Sequence, residues 1–560
     1  MANENEITRR SFLSRSAVVG GAAILGGTAA TSLAGCSSSS SSTGTTAAGS
    51  TPGVGTGTPV KGGNLTVGTL DEIDGFYAAS NHWDTSGFLY ANAVFDPLVV
   101  VGADGSFQPY LCESVTPNAA FDVWTLTLRP SVKFHDGTAL TSTVLMNNYK
   151  ALIASPLTGQ ALKQVANVSA PNESTFVYNL TAPNPTFPFA LTSQLGYPFA
   201  QAMIDNSTKG GVNKPIGTGP FMFSSWEPNS HFTAVRNPNY WRSGLPYLDS
   251  ITFRPIPDTS QREASLTSGA LDMIESSDPG TIKRFENQSQ YQLVDSRTGV
   301  IGEPTMAFIV LNCAKAPTSD LTIRQALAKA TDQATIQKIF GAGFGQPVNG
   351  PFLPGSPYYT DSGYPTYDPS GAKDLVNKWK AANGGKAPAV TLTTITDPRL
   401  AQVVQIIQQM WNQAGFEVAI QTIQQAQLVD NLVIGEFSAI TAYQFGNVTP
   451  DLNYVWWSTT TVHPPGQISL NFPRNSDPVI ESNMLTARST TNTATRVAAY
   501  QTVDKQLAKD LPYLWLEQYL FSEVATMKVQ NFNNLVLPNG QKGYSFDEGV
   551  FFPTQIWLNS

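Results

Sequence analysis

The chain has 560 residues, 41% hydrophobic and 13% charged, with a formal net charge of −8 at pH 7. That length accommodates about three domains with sizeable cores, and the composition is that of a charge-poor globular protein. The acidic balance argues against a nucleic-acid binder, which needs a basic stripe to neutralise phosphates.

The first 35 residues read as an export signal. Thr8-Arg9-Arg10-Ser11-Phe12-Leu13 has the form of a twin-arginine signal, and the uncharged run from Ala17 to Gly35 is too rich in glycine and alanine for a good membrane span. Leu33-Ala34-Gly35-Cys36 resembles a bacterial lipoprotein cleavage box, so Cys36 is the expected lipidation site. Residues 36–60, almost wholly Ser, Thr, Gly and Ala, are the expected flexible tether. The expected location is the extracytoplasmic face of the bacterial cytoplasmic membrane, with the body held in water by a lipid anchor.

Lys61 to Val67 predicts a short strand. The loop from Asp71 to Asp84 carries Tyr77, His82 and Trp83, which either cap a core edge or contact a ligand. Between Phe121 and Gly137, Trp124, Leu126 and Leu128 alternate with Thr125, Thr127 and Arg129, the period of a half-buried strand, and Asp136-Gly137 marks a sharp turn. His135, in that turn, is read as structural. Cys112 and Cys313 lie far apart and read as two buried thiols; a disulfide stays chemically open. With no cysteine pair at metal spacing and histidines scattered at His82, His135, His231 and His463, no metal site is expected.

Pro215, Gly217, Gly219 and Pro220 around Thr218 predict a tight turn exploiting glycine's backbone freedom. Strands follow, broken at Asn237-Pro238-Asn239 and at Gly244-Leu245-Pro246. Ile323, Leu327, Ala330, Ile336 and Ile339 predict one amphipathic helix capped by Ser319 or Asp320, with Gly341 to Gly345 ending it. Asp397, Pro398 and the apolar face Leu400, Val403, Val404, Ile407 and Trp411 predict another, closed by Gly415. Strands at 391–395 and 416–420 flank it, a β-α-β unit of α/β architecture. Val497, Tyr500, Val503, Leu507 and Leu511 mark a last helix, stopped at Pro512.

The order GTGP, Trp226, Arg236-Asn237-Pro238, Tyr240-Trp241, Gly244, Pro246, Asp249 resembles a signature of the family 5 extracytoplasmic solute-binding proteins that serve peptide- and nickel-type ABC importers. LRPSVKFHDGTALT, and Leu311-Asn312 followed by Ile323-Arg324-Gln325-Ala326-Leu327, are similar to further blocks of that family, so the resemblance covers roughly residues 61 to 560. It implies an α/β, two-lobed periplasmic-binding-protein type II fold with an additional subdomain in the first lobe. On that pattern 61–105, 215–310 and 515–560 form domain I, 106–214 the subdomain, and 311–514 the second lobe. It also implies a monomeric receptor without catalysis or cofactor, which closes on a small-molecule or peptide solute and hands it to an ABC permease in the membrane. A sensor or chaperone-like binder uncoupled from transport is the alternative on the same scaffold.

In relatives that bind dipeptides, an aspartate shortly after a tryptophan holds the ammonium group, and an arginine before the long helix holds the carboxylate. Here Tyr443 replaces the tryptophan and Gly446 stands at the aspartate position. Arg399 lies beside the arginine position, inside the first helical turn. A peptide held by its termini is therefore less favoured, unless Asp451 supplies the acid after a shift of a few residues. Aromatic and amide groups remain: Tyr443, Gln444, Phe445, Asn447, Trp456, Trp457 and Trp515, suited to sugar rings, heteroaromatic rings or ring-stacked cations. Adjacent Trp456 and Trp457, read on a strand, would place one indole inward. No HExxH, GxSxG or CxxC occurs, which speaks against an enzyme.

Overall fold

The computed structural model describes residues 51–207, 213–345, 348–444 and 446–559. Cys36, the signal segment, most of the tether and Phe445 lie outside the described residues, as does the side chain of Gln444.

Three principal sheets organise the chain. The first has seven strands in the order Tyr291–Asp295, Ser522–Thr526, Met273–Ser276, Asn64–Thr69, Ser250–Pro255, His231–Arg236 and Phe221–Glu227. Asn64–Thr69 runs parallel to both its neighbours and the remaining pairs are antiparallel. A four-stranded antiparallel sheet of Cys112–Pro117, Val123–Leu128, Thr175–Leu180 and Val165–Asn172 packs beside it. Leu65, Val67 and Phe253 of the larger sheet share one continuous core with Trp124, Leu126 and Phe176 of the smaller. The two sheets are thus one lobe.

The second lobe is built on five strands, Glu417–Ile423, Ala389–Ile395, Ala439–Gln444, Met306–Leu311 and Tyr513–Gln518, with its own core around Ile309, Leu392, Ile407, Trp411 and Leu514. Its β-α-β unit follows the local chemistry. Asp397 accepts a hydrogen bond from the Leu400 N–H at 2.7 Å, Pro398 opens the helix Pro398–Gln413, and Gly415 takes φ +100°. Val404, Ile407 and Trp411 are buried on its inner face, and the flanking strands pair in parallel register.

Two expectations are corrected. The apolar pattern from Ile323 to Ile339 is two helices, Leu321–Ala330 and Gln333–Phe340. Asp332 caps the second through the Thr335 N–H at 3.1 Å, and the break turns Ile339 out to solvent at 48% exposure. Gly217 and Gly219 do not adopt positive φ. They are needed because a Cβ at either position would collide with the Val94 backbone, so the requirement is close approach. His135 fixes the same junction: its N–H donates to Gly217 O at 2.9 Å and its Nε2 lies 3.0 Å from Gly219 O. Burial lowers its pKa to about 4, consistent with a structural imidazole.

The chain passes between the lobes twice, after Asp295 and after Gln518, and the crossing segments bond to one another. Tyr519 N–H donates to Thr305 O at 2.8 Å, Ser296 N–H to Phe521 O at 3.0 Å, and Phe521 N–H to Ser296 Oγ at 2.9 Å. Such a pair of short strapped crossings is where two packed bodies can rotate with little repacking.

Candidate functional site

Where the chain crosses between the lobes, Tyr519 gathers an aromatic and a cationic side chain from the second lobe. Tyr443, from the strand Ala439–Gln444, lies against Tyr519 with ring centres 5.0 Å apart and planes at 17°. The Arg399 guanidinium sits 5.9 Å from the centre of the Tyr519 ring, and Tyr519 Oη is 3.1 Å from Ser277 Oγ of the first lobe. Burial pulls the pKa of Arg399 down, but Tyr519, Glu517, Asp278 and Asp397 raise it above its ordinary value, so it stays a cation. Glu517 beside it is pushed up to about 7 by burial, with Arg399 opposing.

First-lobe carboxyls lie within electrostatic reach of Tyr443. The Tyr443 hydroxyl is held well above its ordinary pKa, by burial first and then by Asp84, Tyr519, Asp71 and Glu275. Asp71 is pushed up to about 6 by burial and by Asp84, and Glu275 to about 7 by burial. Asp84 caps the helix Thr85–Val94 by accepting from Gly87 N–H at 2.8 Å. Sequence reasoning named none of Asp71, Asp84, Glu275, Ser277 or Tyr519 as site residues. Glu275 stands out only once the fold is known, as a carboxylate inside the wholly buried strand Met273–Ser276.

The other candidates are distributed differently. Trp83 is 2% exposed, its indole N–H donates to Gly75 O at 3.0 Å, and it packs against Phe95, Phe88 and Tyr197. Tyr77 packs edge-on against Phe199, and His82 is half-buried with its imidazole held below its ordinary pKa by burial. Trp515 is 1% exposed among Phe308 and Tyr513. Tyr454–Trp457 is a helical turn, not a strand: Trp457 enters the core at 2% exposure while half-buried Trp456 lies on Phe472. A helical turn separates adjacent side chains by about 100°, so the inward and outward split survives the change of element.

Asn447 donates through its side chain to Asn453 at 2.8 Å. Asp451 is paired with Arg488 at 2.7 Å, and Asn184 donates to its other oxygen at 3.3 Å. At Gly446 the space a side chain would take is filled by the Glu548 carboxyl, which accepts from the Gly446 N–H at 3.1 Å and from the Thr305 N–H at 2.5 Å. A carboxyl from the C-terminal segment therefore fills the space beside Gly446.

Cys112 and Cys313 carry free thiols, one in the four-stranded sheet and the other just beyond Leu311 in the second lobe. Among the described residues no helix is long and apolar enough to cross a membrane, and no three His, Cys, Asp or Glu side chains are arranged to hold a metal ion.

Comparison with known proteins shows the family and the fold. The model of the bacterial extracellular solute-binding proteins, family 5, matches residues 106–464. The nickel-binding periplasmic protein of Escherichia coli K12 is 27% identical over 456 residues, covering 77% of this chain and 85% of that protein. Two solved structures share the fold at TM-score 0.78. The PBP AgaA of A. tumefaciens R10, in complex with agropinic acid, is 22% identical and covers 89% of this chain and 99% of its own. The ABC transporter-associated periplasmic binding protein DppA of Helicobacter pylori, in complex with the peptide STSA, is 20% identical and covers 90% of this chain and 99% of its own.

Proposed function

Because the chain belongs to the family 5 bacterial extracellular solute-binding proteins, we infer that it is the solute receptor of an ABC importer, closing its two lobes on a peptide-sized solute and presenting it to a permease. The observation that carries this reading is that Tyr443 and Arg399 of one lobe meet Tyr519 of the crossing, whose hydroxyl reaches Ser277 of the other lobe, beside two strapped crossings. A solute touching both walls stabilises only the arrangement in which they face each other, which is how binding energy becomes closure.

Arg399 is the group for a solute carboxylate, and Tyr443 supplies a ring face. Asp451, already paired with Arg488, is not a free anchor for an ammonium. The relatives and neighbours are described with nickel, agropinic acid and a peptide, so the fold leaves the cargo open. Lipid attachment through Cys36 after twin-arginine export, and the division into domain I, subdomain and second lobe at 105, 215, 310 and 515, complete the proposal.

Thermal unfolding of the purified protein against di- to pentapeptides, oligosaccharides and ring-bearing cations tests it. A solute present at about a hundred times its dissociation constant adds roughly 2.7 kcal/mol of stability. A shift with one class and not the others identifies the cargo, and no shift across all of them counts against the receptor reading.

A further inference from the structure

We propose that Asp71, Asp84 and Glu275 form a subsite on the first-lobe wall for a positively charged organic group of the solute, a guanidinium or an ammonium. The inference rests on the receptor reading and adds to it the charge of the cargo and the side chains that select it.

The three carboxyls come from separate stretches: the loop after Asn64–Thr69, the cap of the helix Thr85–Val94, and the strand Met273–Ser276. Glu275 is fully buried. Its Oε2 accepts from Ser86 Oγ at 2.7 Å and from Leu70 N–H at 3.1 Å, which holds the carboxyl between the loop bearing Asp71 and the helix start capped by Asp84. Its Oε1 has no partner. Glu523, directly opposite in register and equally buried, has no partner on either oxygen.

Side chains so paired project on the same face about 5 Å apart, so two carboxyls lie side by side with three hydrogen-bond sites unmade. A buried acceptor without a donor is costly, and native proteins leave few of them. The nearest buried cation, Arg262, directs its guanidinium to the backbone carbonyls of Glu275, Ile256 and Pro257. It relieves the charge without bonding either carboxyl.

Asp71 and Asp84 are half-buried, and each gives one oxygen to a backbone N–H, from Glu72 at 2.9 Å and Gly87 at 2.8 Å. Tyr443 of the second lobe, its ring stacked on Tyr519, has its hydroxyl pKa raised by burial first and in part by the charge of all three carboxyls, and its ring is an electron-rich face of the kind that accepts a cation. An extended organic cation with several N–H donors suits carboxyls that come from three separate stretches of the chain.

The test uses the purified protein at fixed pH and ionic strength, with agmatine and spermidine as cationic probes, butylurea as a neutral counterpart and glutarate as an anionic one. Thermal unfolding is read for the wild type, Asp71→Asn and Glu275→Gln. The expected result is stabilisation by the cations and not by butylurea or glutarate, with apparent affinity about tenfold weaker in each variant. Glu275→Gln without solute unfolds no lower than the wild type, because it removes a buried charge, and Asp71→Asn on a half-buried loop provides an independent variant.

If butylurea, glutarate or an uncharged peptide or sugar stabilises the wild type while the cations do not, the cation subsite is wrong and the receptor reading stands. If the cations stabilise the wild type and both variants equally, the assignment to this wall is wrong. If nothing of any charge stabilises the wild type, both readings fall together.

Discussion

Asp451 of the second lobe accepts a hydrogen bond from the Asn184 side chain of the first lobe at 3.3 Å while Arg488 holds its other oxygen at 2.7 Å. The acid is 5% exposed, and the Arg488 guanidinium lies over the Tyr454 ring at 3.7 Å, so the pair is packed as well as charged. Removing one partner of a buried ion pair leaves the other charge uncompensated. Arg488→Met should therefore destabilise the protein by about 3–5 kcal/mol, measured by urea unfolding. Asn184→Ala should cost less, about 1–3 kcal/mol, because Arg488 still serves the carboxylate.

Trp515 provides a clean measure of the second-lobe core. It is 1% exposed and meets Phe308 and Tyr513 at ring-centre distances of 5.3 Å each. Trp515→Ala removes a large side chain that neighbours can only partly replace, so a loss of about 3–5 kcal/mol is expected in denaturant unfolding.

Gly446 and Glu548 are a coupled pair. A Cβ at 446 would enter the space of the Glu548 carboxyl, which is held by Thr305 and the Gly446 N–H itself. Gly446→Ala should destabilise by about 1–3 kcal/mol through overpacking. In the double variant with Glu548→Ala the effect of the added methyl should largely vanish, and a double-mutant cycle reads that coupling directly.

Stability should also rise as pH falls from about 8 towards 6. Burial pushes Glu548 up to about 8, Glu275, Glu303 and Glu517 to about 7, and Asp71 and Asp547 to about 6. In the unfolded chain these groups titrate near 4. Between roughly pH 4 and 8 the native state thus holds more protons than the unfolded one, and by linkage stability is lost as pH rises through that window. His135 acts in the opposite sense: lowered to about 4, it withdraws stability below about pH 6.5. The carboxyls outnumber it, so the unfolding midpoint should be higher at pH 6 than at pH 8, and a scan across buffers of equal ionic strength checks it.

Much of the fold could be read from local chemistry. The Asp397 and Pro398 start with Gly415 at the end marked the helix Pro398–Gln413, and the period of two at Trp124, Leu126 and Leu128 marked a strand. Reading failed where two helices abut, because Asp332 caps a new helix in phase with the pattern before it. The site was less legible for a different reason. Tyr443 and Arg399 lie in recognisable positions, but Asp71, Glu275 and Tyr519 come near them only through tertiary folding, from stretches far apart in the sequence. Glu548 reaches Gly446 from 102 residues away, a distance over which local pattern carries no information.

The central claim is that a solute draws the two lobes together about the crossings at Thr305 and Tyr519. X-ray scattering from the purified protein, with and without a solute that raises its unfolding midpoint, tests this most directly. A smaller radius of gyration is expected in the presence of that solute. Scattering profiles that superimpose, with binding shown by the midpoint shift, would contradict closure as the means by which this protein holds its cargo.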